Sequence, residues 1–327
     1  MFPFRRCAVL ACLLLAVLRP AWAAEALAPT ARVHALKITI LSTMLADGNE
    51  LGEWGFSALV EADGHRILFD TGAHPDVVLK NAQTLRVDLT TVPEAILSHW
   101  HNDHTGGFLT LRQAVLAKSP SALAVTHVGR GIFYPRHGLS RGIDENEVNL
   151  FRPEYEKTGG RFVEHAGAVQ LYPGVWFTGP VPRKYPERNW SGHARMDTPA
   201  GDAEDNLPED SALVIDTEAG LVVVTGCGHA GVVNICDYAR AVVRPARIHA
   251  LVGGIHLFNA TDATLAWTAE KLRAFGVDNF VGAHCTGVET VYRFRASLGL
   301  DRGHAVVGAV GQTFDLAHGL NPGEIAK

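Results

Sequence analysis

The stretch from Ser98 to Gly107 reads S-H-W-H-N-D-H-T-G-G and sets His99, His101, Asp103 and His104 within six positions. Imidazole and carboxylate side chains at that density are the donor set of a zinc or other transition-metal site. An apolar strand, Glu94 to Ser98, runs into the cluster, and Gly106-Gly107 close it before a helix-like run from Phe108 to Lys118. His99 and His101 lie two residues apart, so on extended backbone they face one side and can hold one ion. Asp103 and His104 follow a turn and can face a second ion. Two ions about 3.5–4 Å apart clamp a water between them and polarise a substrate oxygen.

Working outward, four more places carry the same kind of chemistry. Asp70 ends the strand I-L-F-D-T-G, where a carboxylate suits the support of ligand imidazoles. Cys227 and His229 stand in T-G-C-G-H-A-G, His256 in G-G-I-H-L, and His284 in G-A-H-C-T-G. Each of these histidines lies at or just past the end of an apolar strand, with glycines that let backbone approach closely. Three such placements in successive units point to one site at the strand ends. His127 follows the strand Ala122–Thr126 and is a candidate substrate contact. Cys236 reads as core, on the buried face of its helix. Arg183, Lys184 and Arg188 either meet a substrate phosphate or form a solvated loop.

The first residues read as a leader rather than as fold. Arg5-Arg6 precede an apolar run from Cys7 to Leu18, and Ala21-Trp22-Ala23 supplies a small-x-small cleavage site. The run is short for a membrane span. The arginine pair is weakly twin-arginine-like, a route that exports folded, metal-loaded proteins. The expectation is a secretory signal over 1–23, a periplasmic or secreted product, and no stable membrane association after cleavage. Without residues 1–23 the chain holds 26 basic and 34 acidic side chains, a formal charge of −8 against −5 for all 327 residues. Such an acidic balance argues against nucleic-acid binding. Three cysteines remain, Cys227, Cys236 and Cys285, and an odd count argues against a disulfide framework.

Roughly 300 residues suffice for one sizeable core, and no linker divides residues 24–327. Leu36–Leu41, Phe56–Glu61 and Arg66–Asp70 read as strands, the last two joined by a turn at 62–65. A helix is expected from Pro75 to about Leu85. Residues 127–200 hold seven prolines and read as a loop-rich insertion over the site. Strands at Ala212–Asp216 and Leu221–Val224 follow. Helices are then expected over Val232–Val243, Thr261–Phe275 and Val288–Leu298, alternating with strands Ile248–Gly253 and Asn279–Gly282. Early hairpins and late strand–helix units suggest two sheets flanked by helices.

I-L-F-D-T-G followed by S-H-W-H-N-D-H-T-G-G resembles the metallo-β-lactamase superfamily. The three later motifs resemble its branch named for 7,8-dihydropterin-6-methyl-4-(β-D-ribofuranosyl)aminobenzene-5′-phosphate synthase. The resemblance runs from about Lys37 to Val310 and implies an α/β, four-layer αββα sandwich with a di-metal edge. It implies that His99 and His101 hold the first ion, Asp103, His104 and His284 the second, with Asp70 in support. Where most of the superfamily has an ion-bridging Asp, this chain has Cys227. The third ligand of the first ion is then His229, with Cys227 or a carboxylate of Glu209 or Asp210 as alternatives.

The implied cofactor is a pair of divalent ions, zinc first, with manganese or iron open. Their Lewis acidity would present a metal-bound hydroxide to a phosphoester, lactone or related ester. Asp103 would orient that nucleophile, and His256 or His127 would protonate the leaving group. The partner is a small molecule, phosphorylated ones included. Two rival readings remain: a transferase like the synthase, and a metal-containing binding protein without turnover.

Overall fold

A computed structural model describes Met1 and residues 31–137, 143–190 and 193–326. Strand 36–42 shows how the layers arise: Ile38 and Ile40 join one core while Leu41 joins another. The same two-residue alternation recurs at Ala58/Leu59/Val60, Ile67/Leu68/Phe69 and Ala95/Ile96/Leu97. A strand buried on both faces needs a partner layer on each. The inner partner is a second sheet and the outer partner is a layer of helices, which gives an αββα sandwich.

The first sheet has eight strands, ordered Gly319–Asn321, Thr313–Asp315, Leu36–Ser42, Ser57–Ala62, His65–Phe69, Glu94–Leu97, Val125–Gly129 and Arg161–His165. The second has seven, ordered Ala305–Val307, Asn279–Gly282, Ile248–Gly253, Gly220–Thr225, Ala212–Thr217, Val175–Phe177 and Val169–Tyr172. Between them Ile40, Phe56, Phe69 and Ile96 meet Leu213, Ile215, Val222, Val224, Val252 and Val281. Helices α1 (Val77–Thr84), α2 (Asn102–Thr105), α3 (Phe108–Leu116) and α4 (Glu147–Lys157) belong to the first half, where α1, α3 and α4 cover its sheet. Helices α5 (Val232–Val242), α6 (Asp262–Ala274) and α7 (Val288–Leu298) cover the second sheet, and Cys236 packs in their core as the sequence indicates.

In each sheet four successive neighbours run parallel: 65–69 to 161–165 in the first and 220–225 to 305–307 in the second. Their carboxyl ends deliver Asp70, Ser98, Cys227, His256 and His284. In open α/β sheets that edge is where ligands bind.

Residues 127–200 differ from expectation. They are partly regular: Arg161–His165 extends the first sheet, Val169–Tyr172 and Val175–Phe177 extend the second, and α4 packs on the outside. The prolines and charges misled because α4 tolerates Pro153 within it and no residue of the edge strand 161–165 is fully buried. α4 is held by buried Val148 and Tyr155, the latter 4.7 Å from the Phe108 ring. Two small sheets complete the fold, one of Arg136–His137, Arg195–Thr198 and Gly201–Glu204, the other of Leu45–Ala46 and Ala309–Val310. By contact, residues from Ala31 onward cluster as one unit. The leader expected over 1–23 lies outside the described residues. Among those described, no helix is long and apolar enough to cross a membrane.

Candidate metal centre

The site is built from the carboxyl end of strand 65–69 outward. Asp70 is fully buried and sits at φ 55°, in a backbone region that non-glycine residues rarely occupy. Its Oδ1 accepts the Ser98 N–H at 2.7 Å, and its Oδ2 accepts both Ser98 Oγ and His104 Nδ1 at 2.7 Å. An ionised carboxylate only accepts. The Ser98 hydroxyl proton therefore goes to Asp70, and Ser98 Oγ accepts the Nδ1–H of His99, 2.9 Å away. His229 donates its own Nδ1–H to the Asn189 carbonyl. In all three rings an acceptor holds the Nδ1 proton, so Nε2 is the nitrogen turned toward an ion.

Those Nε2 atoms converge. His99 Nε2 and His229 Nε2 are buried without a hydrogen-bond partner, a state that costs free energy unless a ligand fills it. The rings of His99, His101 and His229 lie 4.7–4.9 Å apart by centroid. His104 Nε2 faces Cys227 Sγ at 3.1 Å, and His284 Nε2 stands 3.1 Å from an Asp103 oxygen. Four overlapping groups result: Asp103, His104, Cys227 and His284; His99, Cys227 and His229; His99, His101 and Asp103; and Cys227, His256 and Cys285. Within each, the donor atoms lie within 4.8 Å of one another. Donors bound tetrahedrally to one zinc ion at about 2.0–2.3 Å lie about 3.3–3.8 Å apart, so each cluster is within about 1–1.5 Å of that geometry. The donor set fits divalent ions.

Burial dominates the electrostatics. It drives the His99 and His229 imidazoles well below their usual range and takes His101 down to about 3 against the pull of Asp103. His104 departs the other way: burial would lower it, but Asp103 and Asp70 outweigh that and raise it to about 9. Burial alone would raise the Asp103 carboxyl, yet His104, His284 and His101 hold it well below the carboxylate range. Strain accompanies this charge, since His256 and His284 also have positive φ, 48° and 47°.

Asp210 and Glu209 stand apart from the ligand groups. Asp210 Oδ2 accepts the Ala230 N–H at 2.7 Å and steadies the turn that carries His229. Glu209 is spent on Arg136 Nη2 at 2.7 Å and on the Trp100 N–H at 3.3 Å, which fixes the backbone between His99 and His101. Burial lifts Glu209 to about 7 despite Arg136.

His127 corrects the sequence reading: its Nδ1 meets His165 Nε2 at 2.9 Å and its Nε2 meets Glu94 at 3.3 Å. It sits in mid-strand opposite Ile96, and Glu94 marks the amino end of its strand, so the ring turns away from the cluster. Arg183 donates to the Asn206 and Leu207 carbonyls, and Lys184 pairs with Asp237. Only Arg188 of that trio lines the neighbouring cavity of about 460 Å³, together with Asn189, Trp190, His256 and the start of α6. His256 Nδ1 is buried without a partner. Sequence reasoning missed Ser98, Cys285 and the aromatic rim of Trp54 and Phe258. Ser98 and Cys285 each adjoin a candidate histidine in sequence, which was the available signal.

The model of the metallo-β-lactamase superfamily matches residues 55–131, the stretch holding Asp70 and the 99–104 cluster. Over that stretch the chain is similar to the metallo-β-lactamase superfamily. The chain is 27% identical over 278 residues to the 7,8-dihydropterin-6-methyl-4-(β-D-ribofuranosyl)aminobenzene-5′-phosphate synthase of Methanocaldococcus jannaschii, covering 80% of this chain and 92% of that protein. A solved structure described as a metal-dependent hydrolase of the β-lactamase superfamily aligns with TM-score 0.68 at 25% identity, covering 90% of this chain and all of the other. A metallo-β-lactamase fold protein from Bacillus subtilis shares the fold, with TM-score 0.53 at 13% identity over 86% of this chain and 100% of its own.

Proposed function

We propose that the protein is a metal-dependent hydrolase of a small-molecule phosphoester, lactone or related ester. The observation that carries this reading is the pair of buried, partnerless Nε2 atoms of His99 and His229, which face the same cluster as His101, Asp103, His104 and His284. His99, His101 and His229 would hold one ion; Asp103, His104 and His284 would hold another, with Cys227 between the two sets. Bound divalent ions supply Lewis acidity and make a nucleophile available from water near neutral pH. Asp70 holds the His104 Nδ1 proton and, through Ser98, that of His99. Asp103 stays ionised and orients the attacking water by accepting a hydrogen bond from it. His256, at the cavity wall with a free Nδ1, hands a proton to the leaving group. Likeness to the structure described as a metal-dependent hydrolase supports the reading.

The similarity to the synthase favours a second reading, transfer between a pterin diphosphate and an aminobenzene ribosyl phosphate. One experiment separates them. The purified protein is analysed for metal per chain and assayed on phosphodiesters, lactones and the two-substrate pterin reaction, each with chelator and with His101→Ala. Ester turnover lost in both treatments and restored by zinc or manganese is the expected result. Turnover that survives both overturns the metal mechanism, and activity confined to the pterin pair establishes the transferase.

A further inference from the structure

Cys227 Sγ and Cys285 Sγ lie 3.3 Å apart, both thiols are free, and both are buried. A disulfide has an S–S length of about 2.03–2.05 Å, so the sulfurs need to approach by little more than 1 Å (3.3 Å observed). The chain permits that shift. Cys227 stands between Gly226 and Gly228, in the turn after strand 220–225, and Cys285 lies in the short 3-10 turn His284–Thr286. The third described cysteine, Cys236, packs in the apolar core behind α5 and joins no such group.

We propose that Cys227 and Cys285 form a redox-active thiol pair that a peroxide converts to a disulfide within the candidate metal site. Peroxide reacts first at one of the two sulfurs, and Cys227 borders the histidine cluster. Its thiol attacks the O–O bond, gaining S–OH while the second oxygen leaves as water. The Cys285 thiol then displaces that hydroxyl, also as water, and the S–S bond forms. Two thiols are oxidised by two electrons and one peroxide is reduced to two waters, so the step balances. Because Cys227 belongs to three of the four donor groups, the disulfide withdraws a sulfur from nearly the whole cluster. That consequence rests on the metal reading above; the disulfide itself does not.

The test uses the full chain, reduced and metal-free, treated with hydrogen peroxide, then alkylated and digested. The expected product is lighter by two hydrogen atoms, yields a linked peptide joining Cys227 to Cys285, and reverts with dithiothreitol. Cys285→Ala and Cys285→Ser should yield no linked peptide, whereas Cys236→Ser should yield it as the unaltered chain does. Oxygen adducts on Cys227 without a link, or two thiols still titratable after treatment, would overturn the proposal. Zinc titration of the reduced and oxidised forms checks the coupling: the oxidised form should bind about 10–100-fold more weakly. Equal affinity overturns the coupling, while a reduced chain that binds no zinc sinks the metal reading and leaves the linked peptide as independent proof of the pair.

Discussion

Asp70 Oδ2 and His104 Nδ1 meet at 2.7 Å with both side chains fully buried, and the same carboxylate also takes two donors from Ser98. Three donors thus share two oxygens. Asp70→Asn keeps the shape but offers a single carbonyl oxygen, so at least one donor faces an amide N–H₂ instead. The expected result is metal affinity lowered by about 10–100-fold, with stability reduced by about 1–3 kcal/mol. Competition against a chromophoric chelator and chemical denaturation measure the two. Unchanged affinity would mean that His104 and His99 are oriented by something else.

Gly226 makes a sharper steric prediction. A Cβ there would sit 2.1 Å from Ser98 Oγ and 2.6 Å from Asp70 Oδ2, both atoms already fixed by hydrogen bonds. Gly226→Ala should therefore break the Asp70–Ser98 unit and cost about 1–3 kcal/mol as overpacking, along with most metal binding. A variant that melts and binds metal like the parent would show that the unit yields freely.

Much of this was legible beforehand because local pattern and long-range demand agree there. Strands 248–253 and 279–282 and helix Val288–Leu298 are mostly apolar runs or amphipathic ones bounded by glycine, and they fall where the sequence sets them. The 99–104 cluster was legible because all four groups share one turn. Three things were hidden, each for a physical reason. His127 is a strand residue whose partners, Glu94 and His165, come from neighbouring strands 33 and 38 residues away. Strands 161–165 and 169–172 lie at sheet edges, where no residue is fully buried and the apolar signal is weak. Cys285 faces Cys227 only because parallel strands bring together turns 58 residues apart.

Glu187 gives a pH prediction. Its carboxylate accepts the N–H groups of Val233 at 3.2 Å and Asn234 at 2.9 Å at the start of α5. Burial nonetheless outweighs those bonds and raises it from 4.5 to about 7. A folded-state value above the unfolded one means stability that is fully present below about 4.5 and lost as pH rises through about 7. The span corresponds to roughly 3 kcal/mol. Glu187→Gln, neutral at every pH, should flatten that part of the profile. Urea midpoints at pH 5 and 8 decide it, and an equally steep fall in the variant would assign the slope to other groups.

The rim of the site carries the last prediction. Trp54 and Phe258 are about half exposed, their rings 5.5 Å apart edge to face. Trp54 lies 5.0 Å from the His284 ring and Phe258 lies 5.3 Å from the His256 ring. Large aromatic side chains left in water beside polar chemistry offer apolar area for a ligand to cover. They touch the imidazoles but bring no donor to the cluster, so their contribution should be the same in ground and transition states. Trp54→Ala and Phe258→Ala are expected to raise KM several-fold with kcat and metal content unchanged, the signature of lost uniform binding. A matching fall in kcat with KM unaltered would instead make the rings supports for His284 and His256. Metal analysis of the same preparations shows whether that support acts through the ions.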